Sequence, residues 1–122
     1  MRYMGEFERP ARLTIKLKSP FQGTQSSASA RVREDGGIDL DLYDFSDEAQ
    51  SSMGNDVAWI WRIDTAQRPR LVELLEERTG TAIRDDQALL DAFARHFPHV
   101  HAIRDWLKEK GIAYEEKFDS WA

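Results

Sequence analysis

The pattern that most constrains this chain lies at residues 30–43, where the side-chain period is two. Ala30 and Val32 alternate with Arg31 and Arg33, while Ile38, Leu40 and Leu42 alternate with Asp39 and Asp41. In an extended strand this alternation sends apolar and charged side chains to opposite faces. The two runs flank Asp35-Gly36-Gly37, a turn composition. They predict an antiparallel hairpin. A three-residue loop pairs Glu34 with Ile38, Arg33 with Asp39, Val32 with Leu40, Arg31 with Asp41 and Ala30 with Leu42. Like then faces like on both faces, and Gly37 takes the left-handed position of a type I turn plus bulge. Each such cross-strand pair contributes roughly 0.2–1 kcal/mol.

Around this hairpin the pattern predicts further elements. Residues 11–18 read as a strand, with Leu13, Ile15 and Leu17 alternating with Arg12, Thr14, Lys16 and Lys18, and Pro20 following. Residues 19–29 have the composition of a loop. Residues 44–56 are an acidic, Ser-rich connection in which a helical turn can start after Ser46. Residues 57–64 are almost continuously apolar. That predicts a central strand covered on both faces, by helices on one and a partner on the other if not by the chain itself.

After Thr65 the period changes to that of a helix. Leu71, Leu74 and Leu75 form one stripe within residues 66–79, and Gly80 follows as a terminator. Asp85 or Asp86 caps a second helix to about Phe97, with Leu89, Leu90, Phe93 and Phe97 inward, before Pro98. A third helix from Val100 to Lys110 presents Val100, Ile103, Trp106 and Leu107, and Gly111 ends it. Residues 112–118 read as a last strand with Ile112, Tyr114, Glu116 and Phe118 on one side. The order β-ββ-β-ααα-β predicts a single α+β domain over residues 1–122. Its antiparallel or mixed sheet of about five strands carries the helices on one face, and the last strand lies beside that of Trp59 and Trp61.

Composition narrows the function. With 17 basic and 22 acidic residues among 122, the net charge is −5. That argues against a nucleic-acid binder, which needs a basic face to release phosphate counterions. The absence of Cys excludes disulfide scaffolds, thiolate zinc sites and cysteine nucleophiles. No apolar run approaches the ~18 residues of a membrane span. Acids at Glu6 and Glu8 stand where a signal peptide needs an apolar core. A cytoplasmic protein without membrane contact is expected.

The candidate sites are few. His96, His99 and His101 are close in sequence, but Pro98 keeps His96 and His99 off one helical face, and no metal site is expected. His99 instead caps the third helix or lies on a solvated turn. Asp39, Asp41, Asp44, Asp47 and Glu48 belong to a run from Asp35 to Asp56 that holds no Lys or Arg. Leu42, Tyr43 and Phe45 occupy positions where a Ca²⁺ loop needs oxygen ligands and a glycine. The run therefore reads as an acidic face that attracts a basic partner. Trp121, near the C-terminus, is the aromatic anchor expected beside it. Trp59, Trp61 and Tyr114 could line a pocket between sheet and helices. No nucleophile elbow or phosphate loop is present, so no catalytic residue and no cofactor is assigned.

Small size, acidity, lack of Cys and this element order resemble the small α+β domains that bacteria encode as antitoxins or immunity proteins beside secreted toxins. The ending Arg104-Asp105-Trp106-Leu107-x3-Gly111-Ile112-x-Tyr114-Glu115 is similar to tails in small bacterial proteins of unassigned function. The resemblance implies a non-enzymatic module that covers a basic protein. Two other readings stand beside it: a small-molecule-binding or enzymatic domain, and a homodimer joined by an edge strand such as 11–18.

Overall fold

A computed structural model of the chain describes residues 11–20, 26–44 and 56–121. These residues form β1 (Ala11–Leu17), β2 (Ser26–Arg33), β3 (Ile38–Asp44), β4 (Asp56–Ile63), a 3₁₀ turn (Thr65–Gln67), α1 (Arg68–Thr79), α2 (Asp86–His96), α3 (Val100–Glu109) and β5 (Glu115–Trp121). The strands make one antiparallel sheet in the order β1-β2-β3-β4-β5, with the helices inserted between β4 and β5. The fold is α+β, and β5 lies beside the Trp59–Trp61 strand as the pattern predicts. Some boundaries differ, the starts of β2 and β5 among them. β2 begins at Ser26, inside the expected 19–29 loop, and β5 begins at Glu115 rather than at residue 112. The expected helical turn after Ser46 lies outside the described residues.

The helix ends follow local chemistry. The Asp85 carboxylate accepts a hydrogen bond from the Ala88 amide at 2.8 Å and starts α2. His99 does the same for α3, its Nδ1 accepting from the Ala102 amide at 3.2 Å. At the other end of α3, the Ile112 amide donates to the Leu107 carbonyl at 3.0 Å, which brings Ile112 back into the core.

One sheet face carries the helices. Leu13, Ile15, Leu17, Ala28, Ala30, Val32, Ile38, Leu40, Leu42, Trp59, Trp61 and Ile63 meet the inward stripes of α1, α2 and α3 there. Helix α2 lies over β1 and β2, and α3 over β3. Among the described residues the helices pack more on β1, β2 and β3 than on β5. The opposite face is buried at its centre too: Ala58 and Ile60 are fully buried there, with Tyr43 packed on them. The apolar run of β4 is thus covered on both faces, and the face with Trp59, Trp61 and Ile63 is the one under the helices. Among the described residues no helix is long and apolar enough to cross a membrane.

The hairpin forms, but its register corrects the expectation. Val32 opposes Ile38, Arg31 opposes Asp39, Ala30 opposes Leu40, Ser29 opposes Asp41 and Ala28 opposes Leu42. This is a slip of two residues, which leaves every side chain on its original face; alternation alone cannot distinguish the two registers. The turn decides. Arg33 and Gly37 close it, with Arg33 N donating to Gly37 O at 2.8 Å and Gly36 N to Arg33 O at 2.9 Å. The loop is therefore Glu34-Asp35-Gly36, and Gly36, not Gly37, is left-handed (φ 90°). Asp35 Oδ1 accepts from the Gly37 amide at 2.8 Å, the leading reason its carboxyl titrates below the usual range. Gly37 has a different duty. Arg33 crosses over it to reach Asp39 and the Ile63 carbonyl. A Cβ at residue 37 would collide with that guanidinium and lie 2.9 Å from the Ile63 oxygen.

Candidate functional site

Asp39 and Asp41 are not part of an open acidic face. They are 2% and 3% exposed, on the sheet face opposite the helices. Arg33 Nη1 lies 2.5 Å and Arg62 Nε 3.3 Å from Asp39 Oδ1, and Arg31 Nη2 is 3.9 Å from Asp39 Oδ2. Asp41 takes Arg31 Nε at 3.2 Å and a hydrogen bond from Ser29 Oγ at 2.5 Å. Burial pushes the Asp41 carboxyl above its ordinary range, opposed by Ser29 and Arg31. Desolvation makes such pairs costly to break and poor as a reserve of charge for a partner. Both aspartates are therefore committed inside the fold. This revises their assignment as contact residues. The expected ion pairs Arg33–Asp39 and Arg31–Asp41 both form despite the shifted backbone register, and Arg31 also approaches Asp39.

The remaining acids are placed differently. Asp44 is half-buried at the end of β3. Asp47 and Glu48 lie outside the described residues. Trp121 is the last residue of β5, and the backbone register sets it opposite Asp56. Because Asp44 pairs with Val57, the register brings Asp44, Asp56 and Trp121 to one end of the sheet.

Among the described residues, Trp59, Trp61 and Tyr114 belong to one apolar cluster at different depths. Trp61 is 1% exposed and belongs to the core, whereas Trp59 and Tyr114 are half-buried at its margin. A shallow open depression of about 250 Å³ near Tyr114 is lined by Arg62, Asp64, Gln67, Ala113, Tyr114 and Glu115, without either tryptophan.

Trp61 instead anchors a cluster beside β5. Its Nε1 donates to Glu116 Oε1 at 2.6 Å. The His101 ring meets the indole edge-on at 5.7 Å, and the Arg104 guanidinium lies 5.6 Å from its centre. Burial pushes the His101 pKa down, with Arg104 and His99 acting in the same sense and Asp105 and Glu116 opposing. Two residues further along the same face, Trp59 and Phe118 are in contact, ring centres 5.3 Å apart at 51°. Phe118 is 50% exposed, the one large hydrophobic residue so placed among the described residues. Glu115 and Glu116 are exposed on the same strand.

The structure thus draws attention to Phe118, which the sequence assigned to a strand face and not to a contact. The pattern could identify the strand; it could not tell that this strand is the sheet's edge among the described residues. Of the histidines, His99 is the helix cap and His96 is exposed at the end of α2. Among the described residues no group of three His, Asp or Glu side chains is arranged to hold a metal ion. Comparison with protein-family models, with curated proteins and with solved structures finds no match.

Proposed function

We propose that the chain is a non-enzymatic, cytoplasmic protein-binding module, of the immunity or antitoxin kind, that covers a basic partner with an acidic and aromatic surface. The observation that carries this reading is Phe118. A half-exposed phenylalanine in tilted contact with Trp59, with the exposed Glu116 two residues away on the same strand face, has the make-up of an interface anchor within a polar rim. The net charge of −5 favours encounter with a basic surface. Asp44, Asp47, Glu48 and Trp121 remain in the proposal as the acidic and aromatic residues read from the sequence; Asp39 and Asp41 leave it. A ligand-binding domain has less in its favour, because the depression near Tyr114 is open and polar.

The test is retention from extract of the native host at low salt, with wild type and Phe118→Ser as paired baits. The proposal expects a species held in stoichiometric amount by wild type, released by salt, and not held by Phe118→Ser. If every retained species binds both baits equally, the surface is wrong.

A further inference from the structure

The sheet has two edges, and they differ in charge. β1 carries Arg12, Lys16 and, just beyond it, Lys18, all of one sign, and its pairing with β2 is broken by a register shift between Ala11 and Leu13. Like charges and a bulge are devices that keep an edge from pairing. β5 has neither. Among the described residues it neighbours only β4, and it runs Glu115-Glu116-Lys117-Phe118-Asp119-Ser120-Trp121.

We propose that β5 pairs antiparallel with β5 of a second copy of this chain, with the two-fold axis at Phe118. About that axis, position 117 lies opposite 119, 116 opposite 120, and 115 opposite 121. Lys117 of each copy then faces Asp119 of the other, twice, and no like charges stand opposite. Moving the axis by one residue sets Lys117 against Lys117, or Asp119 against Asp119. Opposite charges across a strand pair stabilise it and like charges destabilise it, so the sequence selects one register. Lys117 already holds Glu115 of its own strand at 3.3 Å, so the pairing extends an alternation of sign along that face. On the other face, Phe118 meets Phe118. The half-exposed ring that ends each monomer's Trp59–Phe118 contact becomes the middle of a continuous row, Trp59-Phe118-Phe118-Trp59. The assembly shares Phe118 with the partner surface proposed above, and charge reversals at positions 117 and 119 test it apart from that surface. It doubles the aromatic surface that such a partner would meet, since both helical layers lie on one side of the joined sheet.

Sedimentation equilibrium of the full chain over a range of concentration tests this, with Lys117→Asp, Asp119→Lys and the double variant compared. Wild type is expected to reach twice the monomer mass and no more. Each single reversal places like charges together at the axis and weakens the dimer roughly tenfold or more. The double variant swaps the charges and restores wild-type association, which also excludes misfolding as the cause of either loss. A monomer at all concentrations, a dimer indifferent to the single reversals, or open-ended growth from β1 adding to β5 would each overturn the proposal.

Discussion

The indole Nε1 of Trp61 donates to Glu116 Oε1 at 2.6 Å, directly across the β4–β5 pair in which these two residues are register partners. A fully buried ring on one strand is thereby held by an exposed carboxylate on the next. Tryptophan combines a large apolar body with one donor that needs a partner when buried. The edge strand supplies it, and Phe118 is carried two residues further along the same face.

Removing that acceptor should loosen the edge. Glu116→Ala leaves the Trp61 donor without its partner and is expected to cost about 1 kcal/mol or somewhat more. Glu116→Gln keeps an acceptor and should recover most of it. Urea unfolding of the two variants makes the comparison.

The buried ion network should act on stability and not on association. Asp39 meets three guanidinium groups, so Asp39→Asn should cost about 3–5 kcal/mol, the range for breaking a buried pair. Asp41→Asn should cost less, because its Ser29 hydrogen bond survives with the amide oxygen as acceptor. Calorimetry or urea unfolding ranks them. In a variant that still folds, the association rate with a basic partner should be unchanged.

The two displaced pKa values bend the pH dependence in defined directions. His101 titrates below its usual 6.5 in the folded state, so the unfolded chain binds more protons there. Its contribution is fully present above 6.5 and is lost as pH falls toward the folded value. Asp41 titrates above its usual 3.8, so its contribution is full below 3.8 and is lost as pH rises through the folded value. Unfolding free energies from about pH 5 to 8 should show a slope that His101→Gln reduces.

The two turn glycines should differ. Gly36→Ala meets left-handed strain of about 1–2 kcal/mol. Gly37→Ala should cost more, because the new methyl displaces Arg33 from Asp39 as well as crowding the Ile63 carbonyl. Melting temperatures of the two variants test the order.

What the sequence made legible follows from period. The strands and helices announce themselves because a period of two and a period of 3.6 sort apolar residues onto one face. The helix ends at Asp85, His99, Gly80 and Gly111 do so because caps are local chemistry. The hairpin register escaped because a slip of two preserves every face; it was settled by Arg33 lying over Gly37, a contact between a side chain and a backbone that alternation does not encode. Asp39 and Asp41 look like surface residues in the sequence for a related reason. Charged residues alternating along a strand resemble a solvated face. Ala58 and Ile60, apolar on the very same face, are the signal that this one is buried. Phe118 was missed because edge position is a property of the sheet, not of the strand.

The most direct test of the binding account uses the complex itself. The retained partner, once purified, is titrated with wild type, Phe118→Ser and Glu115→Lys at low and high salt. The account predicts that Phe118→Ser raises the dissociation constant by roughly tenfold or more, as loss of an interface anchor does. Glu115→Lys should slow association at low salt with little effect at high salt. A dissociation constant that is the same for wild type and Phe118→Ser would contradict it.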